Sequence, residues 1–156
     1  MKFKVFVDGQ HGTTGLKIHE ILEKRDEIEL LEIEEKDKKN IEKRKELLNS
    51  ADLVFLCLPD DAAIESVSLI ENENVKVIDA STAHRTNPSW VYGIPELTSK
   101  QRDKIKNSKR VCVPGCHASG LIISMKPLFR DKKIKKNHKL FVLFTFFFII
   151  LFGVSV

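Results

Sequence analysis

A short apolar run that ends in three evenly spaced glycines limits what this chain can fold into more than any other feature. Phe3 to Asp8 (FKVFVD) reads as a buried strand, and Gly9, Gly12 and Gly15 follow it directly. Leu16, Ile18, Ile21 and Leu22 then recur at helical spacing. A strand that turns through glycines into a helix is the opening unit of a parallel α/β domain, because the chain must turn tightly and the helix must pack closely on the sheet. The spacing is G-x-x-G-x-x-G in place of the commoner G-x-G-x-x-G. Glycine also lets a pyrophosphate approach bare backbone, and the helix N-terminus beyond it presents unpaired N–H groups to an anion. Thr13 and Thr14 add hydroxyl donors there. The competing reading is a turn with no ligand, and the strand before and the helix after weigh against it.

The pattern then repeats. Ile28 to Ile33 alternates acidic and apolar residues as a strand, and Asn40 to Leu48 is a charged helical stretch. Leu53 to Leu58 (LVFLCL) is almost wholly apolar, as expected of a strand buried on both faces of a parallel sheet. Pro59-Asp60-Asp61 can start a helix reaching about Glu71, since acidic groups near a helix N-terminus meet free N–H groups and a favourable dipole. Val75 to Asp79 is a further strand, residues 81–89 a polar turn, Leu97 to Lys106 a helix, Val111 to Val113 a brief strand and Ser119 to Phe129 a last helix. This alternation predicts a Rossmann-like, doubly wound, mostly parallel sheet.

Charge narrows the partners. Residues 1–130 carry 21 Lys and Arg against 21 Asp and Glu, so the whole net charge of +4 lies in residues 131–156. A neutral body without interleaved basic and aromatic residues argues against a nucleic-acid partner. The three cysteines are an odd number and no basic-plus-apolar leader opens the chain, which predicts a reduced, cytoplasmic protein without a disulfide framework.

Among those cysteines, Cys116 follows Val113-Pro114-Gly115 at the end of a strand, just before a helix. The helix dipole and nearby N–H donors favour the thiolate, the form a nucleophilic cysteine requires. Cys57 in LVFLCL and Cys112 in its short strand read as small buried hydrophobes. Cys112 and Cys116 stand C-x-x-x-C with no second cluster, so no metal site is expected. Glu32, Glu34 and Glu35 lie where an NAD ribose partner is expected, whereas Lys36, Lys38 and Lys39 suit a 2′-phosphate. Both signs are present, and the residues leave NAD and NADP open.

Five segments, D-G-Q-H-G-T-T-G (Asp8 to Gly15), C-L-P-D-D-A (Cys57 to Ala62), D-A-S-T-A-H-R (Asp79 to Arg85), V-Y-G-I-P-E-L (Val91 to Leu97) and P-G-C (Pro114 to Cys116), together resemble N-acetyl-gamma-glutamyl-phosphate reductase in its shorter form. The likeness runs in order from residue 1 to about 130. It implies an NADP-dependent step of arginine biosynthesis, the reduction of N-acetylglutamyl phosphate to the semialdehyde with release of phosphate. Cys116 would be the nucleophile, and Gly9, Gly12, Thr13, Thr14, Gly15, Leu58, Pro59 and Ser81 the cofactor contacts. Arg85, whose guanidinium suits a carboxylate or phosphate bidentately, would hold substrate. NADP is the implied cofactor, with NAD not excluded, and the implied partner is a small acyl phosphate or semialdehyde. The family is expected to form homo-oligomers.

The resemblance places the acid-base histidine, much of the substrate pocket and the oligomer interface in a second domain past residue 130, and this chain is expected to lack them. None of His11, His19, His84, His117 or His138 falls in a matching position. His117 adjoins Cys116 where the family more often has tyrosine, and neighbours at a helix start are expected to point to different sides. Val113 stands where the family commonly has asparagine. The chain is therefore read as an inactive fragment of the reductase. The alternatives are a related aspartate-semialdehyde dehydrogenase and a dinucleotide-binding fragment without catalysis.

Residues 131–156 form a different kind of sequence, five lysines followed by the 17-residue apolar run Leu140 to Val156 with six of the ten phenylalanines. Such a run spans about 25 Å as a helix, slightly under the ~30 Å of a hydrocarbon core. The preferred reading is a lost reading frame, since lysine and phenylalanine runs are what A-rich and T-rich codons yield. A tail anchor with the lysines on the cytoplasmic side is the other, and only then is a membrane a partner.

Overall fold

The computed structural model describes residues 2–131. Both readings of the tail lie outside the described residues. Among those described, no helix is long and apolar enough to cross a membrane.

Six strands form one parallel sheet: β1 (Phe3–Asp8), β2 (Ile28–Leu31), β3 (Leu53–Leu56), β4 (Lys76–Asp79), β5 (Val91–Tyr92) and β6 (Arg110–Cys112), in the order β2-β1-β3-β4-β6-β5. The connecting helices are α1 (Thr13–Leu22), α2 (Ile41–Ser50), α3 (Asp60–Leu69), α4 (Gln101–Asn107) and α5 (Cys116–Arg130). The chain moves from β1 to β2 on one side and then returns to β3 on the other. That puts the reversal of strand order between β1 and β3, the place where open α/β sheets leave a crevice.

Consecutive residues Val5, Phe6 and Val7 of β1 are all buried, so both faces of this central strand are covered. Phe6, Leu48, Leu56, Val54 and Val77 lead the core, each contributing about 1.5–3 kcal/mol on burial. Asn40 caps α2 by accepting from the N–H groups of Glu42 and Lys43 at 3.1 and 3.3 Å. Asn49 near its other end accepts from Glu71 and Asn72 N–H at 2.7 and 2.8 Å, tying α2 to the end of α3.

Several element bounds differ from the sequence expectation. The second strand stops at Leu31, but Ile33 still packs into the core from a loop, which is why its periodicity read as strand. The fourth helix begins at Gln101 because residues 95–100 form turns after Pro95. Two-residue β5 is too short to leave a periodic signature. Leu16 and Ile21 of α1 are half exposed, so the apolar spacing there overstates the buried face, and Gly15 is the buried residue of that helix.

Candidate active site

The register carries one row of residues straight across the sheet. Asp8 pairs with Leu56, Leu56 with Asp79, and Asp79 with Cys112. All strands run the same way, so the residues after that row leave the sheet at one edge: Gly9, Cys57, Ala80 and Val113. At about 4.8 Å per strand spacing, the glycine turn and the strand end before Cys116 stand about 14 Å apart.

The three glycines are required for different reasons. Gly9 has φ +92°, and a Cβ there would stand 2.3 Å from the Cys57 carbonyl oxygen. A Cβ on Gly15 would stand 2.1 Å from the Gly9 carbonyl oxygen, so α1 packs directly on the turn. Gly12 differs: its φ is −84°, and an added Cβ would meet nothing closer than 3.4 Å. Its bareness has no internal cause and leaves the backbone open on the crevice side. Gly12 is also the N-cap residue of α1 and supplies no side-chain cap, so Thr13 and Thr14 lie in an uncapped first turn. The residues present therefore fit a dinucleotide pyrophosphate.

A crevice of about 410 Å³ opens beside this turn, within the size range of small-molecule sites. Gly9, Gln10, Gly12, Ile33, Leu58 and Ala62 line it, with Lys38 and Lys39 among its charged residues. Glu32, Glu34 and Glu35 are not in its lining. Pro59 is the N-cap residue of α3 at its border.

Beneath the turn lies a charged cluster that the sequence did not reveal. Arg44, 6% exposed, donates Nη2 to Asp8 Oδ2 at 3.1 Å and to Ser66 Oγ at 2.6 Å, and Nη1 to Glu65 at 2.8 Å. Ser66 donates to the same Asp8 oxygen at 2.7 Å. Burial opposes the charge on Arg44, but Asp8 and Glu65 more than offset it and hold the guanidinium pKa above its ordinary value. Arg44 sits within a run of five consecutive charged residues, Glu42 to Glu46, so no periodicity could single it out.

At the end of β4, Asp79 is fully buried. It accepts from Ser81 N–H at 2.9 Å and from Ser81 Oγ at 2.7 Å, and its Oδ2 lies 2.7 Å from His84 Nδ1. His84 in turn stacks on Trp90 with ring centroids 4.2 Å apart. The Ser81 hydroxyl is thus spent on Asp79, and Ser81 does not line the crevice. Thr82 donates both its N–H and its hydroxyl to Asp60, joining this loop to the start of α3 and holding the Asp60 carboxyl below its ordinary pKa.

Arg85 reaches from the same loop to the residues before Cys116. Its Nε donates to the Val113 carbonyl at 3.0 Å and its Nη2 to the Ala80 carbonyl at 3.3 Å. Its Nη1 lies 2.7 Å from where a Cβ on Gly115 would sit. Two arms of the fork are therefore occupied by the protein itself.

Cys116 is the first residue of α5, three residues earlier than the expected helix start, with Gly115 as N-cap. It is exposed. Cys112 is buried with its sulfur 3.6 Å from the Val91 carbonyl, and burial pushes its thiol pKa up. Cys57 is pushed up to about 11, by burial first and then by Asp79 and Asp8. Contrary to expectation, His117 turns toward its neighbour, with Nδ1 3.4 Å from Cys116 Sγ. At the open first turn no preceding turn of helix separates the two side chains.

His19, Glu23 and Glu32 also cluster, but the ring nitrogens of His19 face different carboxylates at 3.2 and 3.8 Å. His19 thus lies between two carboxylates, with its two ring nitrogens directed at different ones.

Comparison with known proteins agrees with this geometry. The family model described as semialdehyde dehydrogenase, NAD binding domain, matches residues 5–108. N-acetyl-gamma-glutamyl-phosphate reductase 2 of Pseudomonas putida is 52% identical over 136 residues, 87% of this chain and 44% of the relative. The N-acetyl-gamma-glutamyl-phosphate reductase of Trichormus variabilis is 51% identical over 81% of this chain and 39% of its own length. That of Mesorhizobium japonicum is 51% identical, over 82% and 42%. The chain thus spans about two fifths of the length of these relatives. Among solved structures, aspartate semialdehyde dehydrogenase II from Vibrio cholerae superposes with a TM-score of 0.58 at 18% identity, over 84% of this chain and 43% of that one. The Candida albicans aspartate semialdehyde dehydrogenase with NADP gives 0.58 at 18%, over 84% and 48%. At that identity the likeness is one of fold.

Proposed function

The chain belongs to the family of semialdehyde dehydrogenase NAD-binding domains, and from that premise we propose that residues 1–130 are the nucleotide-binding, nucleophile-bearing part of an N-acetyl-gamma-glutamyl-phosphate reductase. The reaction is the NADP-dependent reduction of N-acetylglutamyl 5-phosphate to N-acetylglutamate 5-semialdehyde and phosphate, a step of arginine biosynthesis. One observation carries this reading: the open glycine turn after β1 and the strand end that leads to the exposed Cys116 leave the sheet on the same side, three strand spacings or about 14 Å apart.

Cys116 Sγ attacks the acyl carbonyl. A sulfur–carbon bond forms, the carbon–oxygen bond to phosphate breaks, and phosphate leaves with the bonding pair. A nicotinamide held through the glycine turn of Gly9, Gly12 and Gly15 would supply hydride to the resulting thioester. The thiohemiacetal left on Cys116 then collapses to the aldehyde and restores the thiolate. Backbone N–H groups of the uncapped first turn of α5 face the developing oxyanion. Gly9, Gly12 and Gly15 shape the pyrophosphate cradle, with Thr13, Thr14, Leu58 and Pro59 around it. Ser81, held by Asp79, belongs to the nicotinamide end, and the remaining Nη1 edge of Arg85 to the substrate anion.

The charge of the crevice supports NADP over NAD. Lys38, whose Nζ lies 3.1 Å from Glu35, and Lys39 line it, and its one carboxylate, Asp8, is already paired with Arg44 and Ser66. A 2′-phosphate meets cations there, whereas a ribose diol lacks its usual acidic partner. The aspartate-enzyme reading rests on fold alone.

The test is covalent trapping. In a full-length reductase carrying these residues together with the family's second domain, and in the absence of NADPH, N-acetylglutamyl phosphate is expected to leave a thioester on Cys116, seen by intact mass and peptide mapping and absent in Cys116→Ser. Acylation by aspartyl phosphate and not by N-acetylglutamyl phosphate would overturn the substrate assignment.

A further inference from the structure

The reaction above does not use the buried group at the end of β4, yet that group holds the loop from which Arg85 reaches Gly115. Asp79 Oδ1 accepts from Ser81 N–H, and Oδ2 accepts from the Ser81 hydroxyl. The second oxygen also lies 2.7 Å from His84 Nδ1. A carboxylate oxygen accepts, so Nδ1 carries the hydrogen and donates it. One face of the imidazole lies on Trp90, with 17° between the ring planes, and Trp90 belongs to the core cluster. His84 is therefore fixed twice, by a bond to β4 and by a stack on the core, and Arg85 is the next residue. The backbone bonds of this loop are less firm: Arg85 N–H donates to the Thr82 carbonyl at 3.3 Å and Asn87 N–H to the His84 carbonyl at 3.1 Å. Among the described residues no acceptor takes Arg85 Nη1, which lies over Gly115 beside exposed Cys116.

We propose that His84 is the positioning residue that sets the free Nη1 edge of Arg85 beside Cys116 and so gives the site its preference for an anionic substrate. The inference rests on the reading of Arg85 as the holder of the substrate anion. Arginine is a long side chain with many rotamers, and a fixed Cα limits the places its fork can reach. The hydrogen bond to Asp79 fixes that Cα from the preceding residue, and the stack on Trp90 keeps the imidazole turned toward Asp79.

The test needs neither cofactor nor substrate. Iodoacetate and iodoacetamide both alkylate a thiolate, sulfur bonding to carbon as iodide leaves, but only iodoacetate is an anion. The ionised fraction of Cys116 therefore cancels in the ratio of the two rates, read in the full chain by mass spectrometry of the Cys116 peptide. Arg85→Gln is expected to lower the iodoacetate to iodoacetamide ratio about fivefold, the attraction of one cation for an anion about 4 Å away in water. His84→Leu and His84→Met fill the space but offer Asp79 no donor, and both are expected to lower the ratio nearly as far. His84→Asn keeps a donor toward Asp79 and is expected to restore part of it. Trp90 is the single tryptophan, so its emission reports loss of the stack independently. Cys112 is buried, and only chains that leave it unlabelled are counted as folded. A parent-like ratio in either folded variant without a donor overturns the proposal. A parent-like ratio in Arg85→Gln instead overturns the anion role of Arg85 beneath it, so the two failures are read from different variants.

Discussion

Arg85 donates its Nε to the carbonyl of Val113 at 3.0 Å, three residues before Cys116, and lays Nη1 over Gly115 between them. The side chain therefore acts as a strap from the end of β4 to the start of α5, and the absence of a Cβ at position 115 is what admits it. Gly115→Ala is expected to displace the guanidinium and to change stability by less than about 1 kcal/mol in the urea midpoint, because the atom it meets is the far end of a flexible side chain. Arg85→Lys keeps the charge but loses the fork, and the rate of Cys116 alkylation is expected to fall with it.

The three glycines of the first turn are expected to separate by phenotype. Gly9→Ala and Gly15→Ala drive a Cβ into backbone oxygens at 2.3 and 2.1 Å, and each is expected to lose about 1–3 kcal/mol of stability. Gly12→Ala meets only ordinary contacts, so it keeps stability within about 1 kcal/mol and instead weakens NADPH binding, measured by titration calorimetry. A Gly12→Ala chain that bound NADPH as the parent does would remove the cradle from the reading.

Asp60 links pH to stability through Thr82. Its folded pKa is depressed below the ordinary 3.8 by the Thr82 hydroxyl and N–H. The contribution is therefore fully present above that value and is lost as pH falls through the lower folded one. Melting temperature followed down through this acid range is expected to fall less steeply in Asp60→Asn than in the parent.

Removing Arg44 leaves Asp8 as an uncompensated buried carboxylate beneath the glycine turn. Arg44→Ala is expected to cost about 3–5 kcal/mol in chemical denaturation. Arg44→Met combined with Asp8→Asn is expected to recover much of that loss, since it removes both charges.

Thiol labelling distinguishes the three cysteines by environment. At neutral pH one equivalent of iodoacetamide is expected to enter the folded chain, at exposed Cys116. Cys57, half-buried in the crevice lining but with its thiol held near 11, is expected to react far more slowly, and buried Cys112 only after unfolding. Early labelling at Cys57 would contradict the raised thiol pKa described for it.

What the residue order determined by itself is the strand-turn-helix rhythm, the dinucleotide turn and the placement of Cys116 between a strand and a helix. These are local: apolar runs of four to six residues, glycines after a strand, and a cysteine after Pro-Gly act within one turn of chain, so their physics is legible in one dimension. Short β5 and the burial of Ile33 were not legible, because both depend on neighbours distant in the chain. The tertiary structure alone decided which charges are buried. Arg44 meets Asp8 across 36 positions, and Arg85 meets Val113 across 28. It also decided that Gly12, unlike Gly9 and Gly15, has room for a side chain, and that His117 turns to Cys116. Such contacts follow from where the parallel strands end together, and sequence spacing carries no record of that.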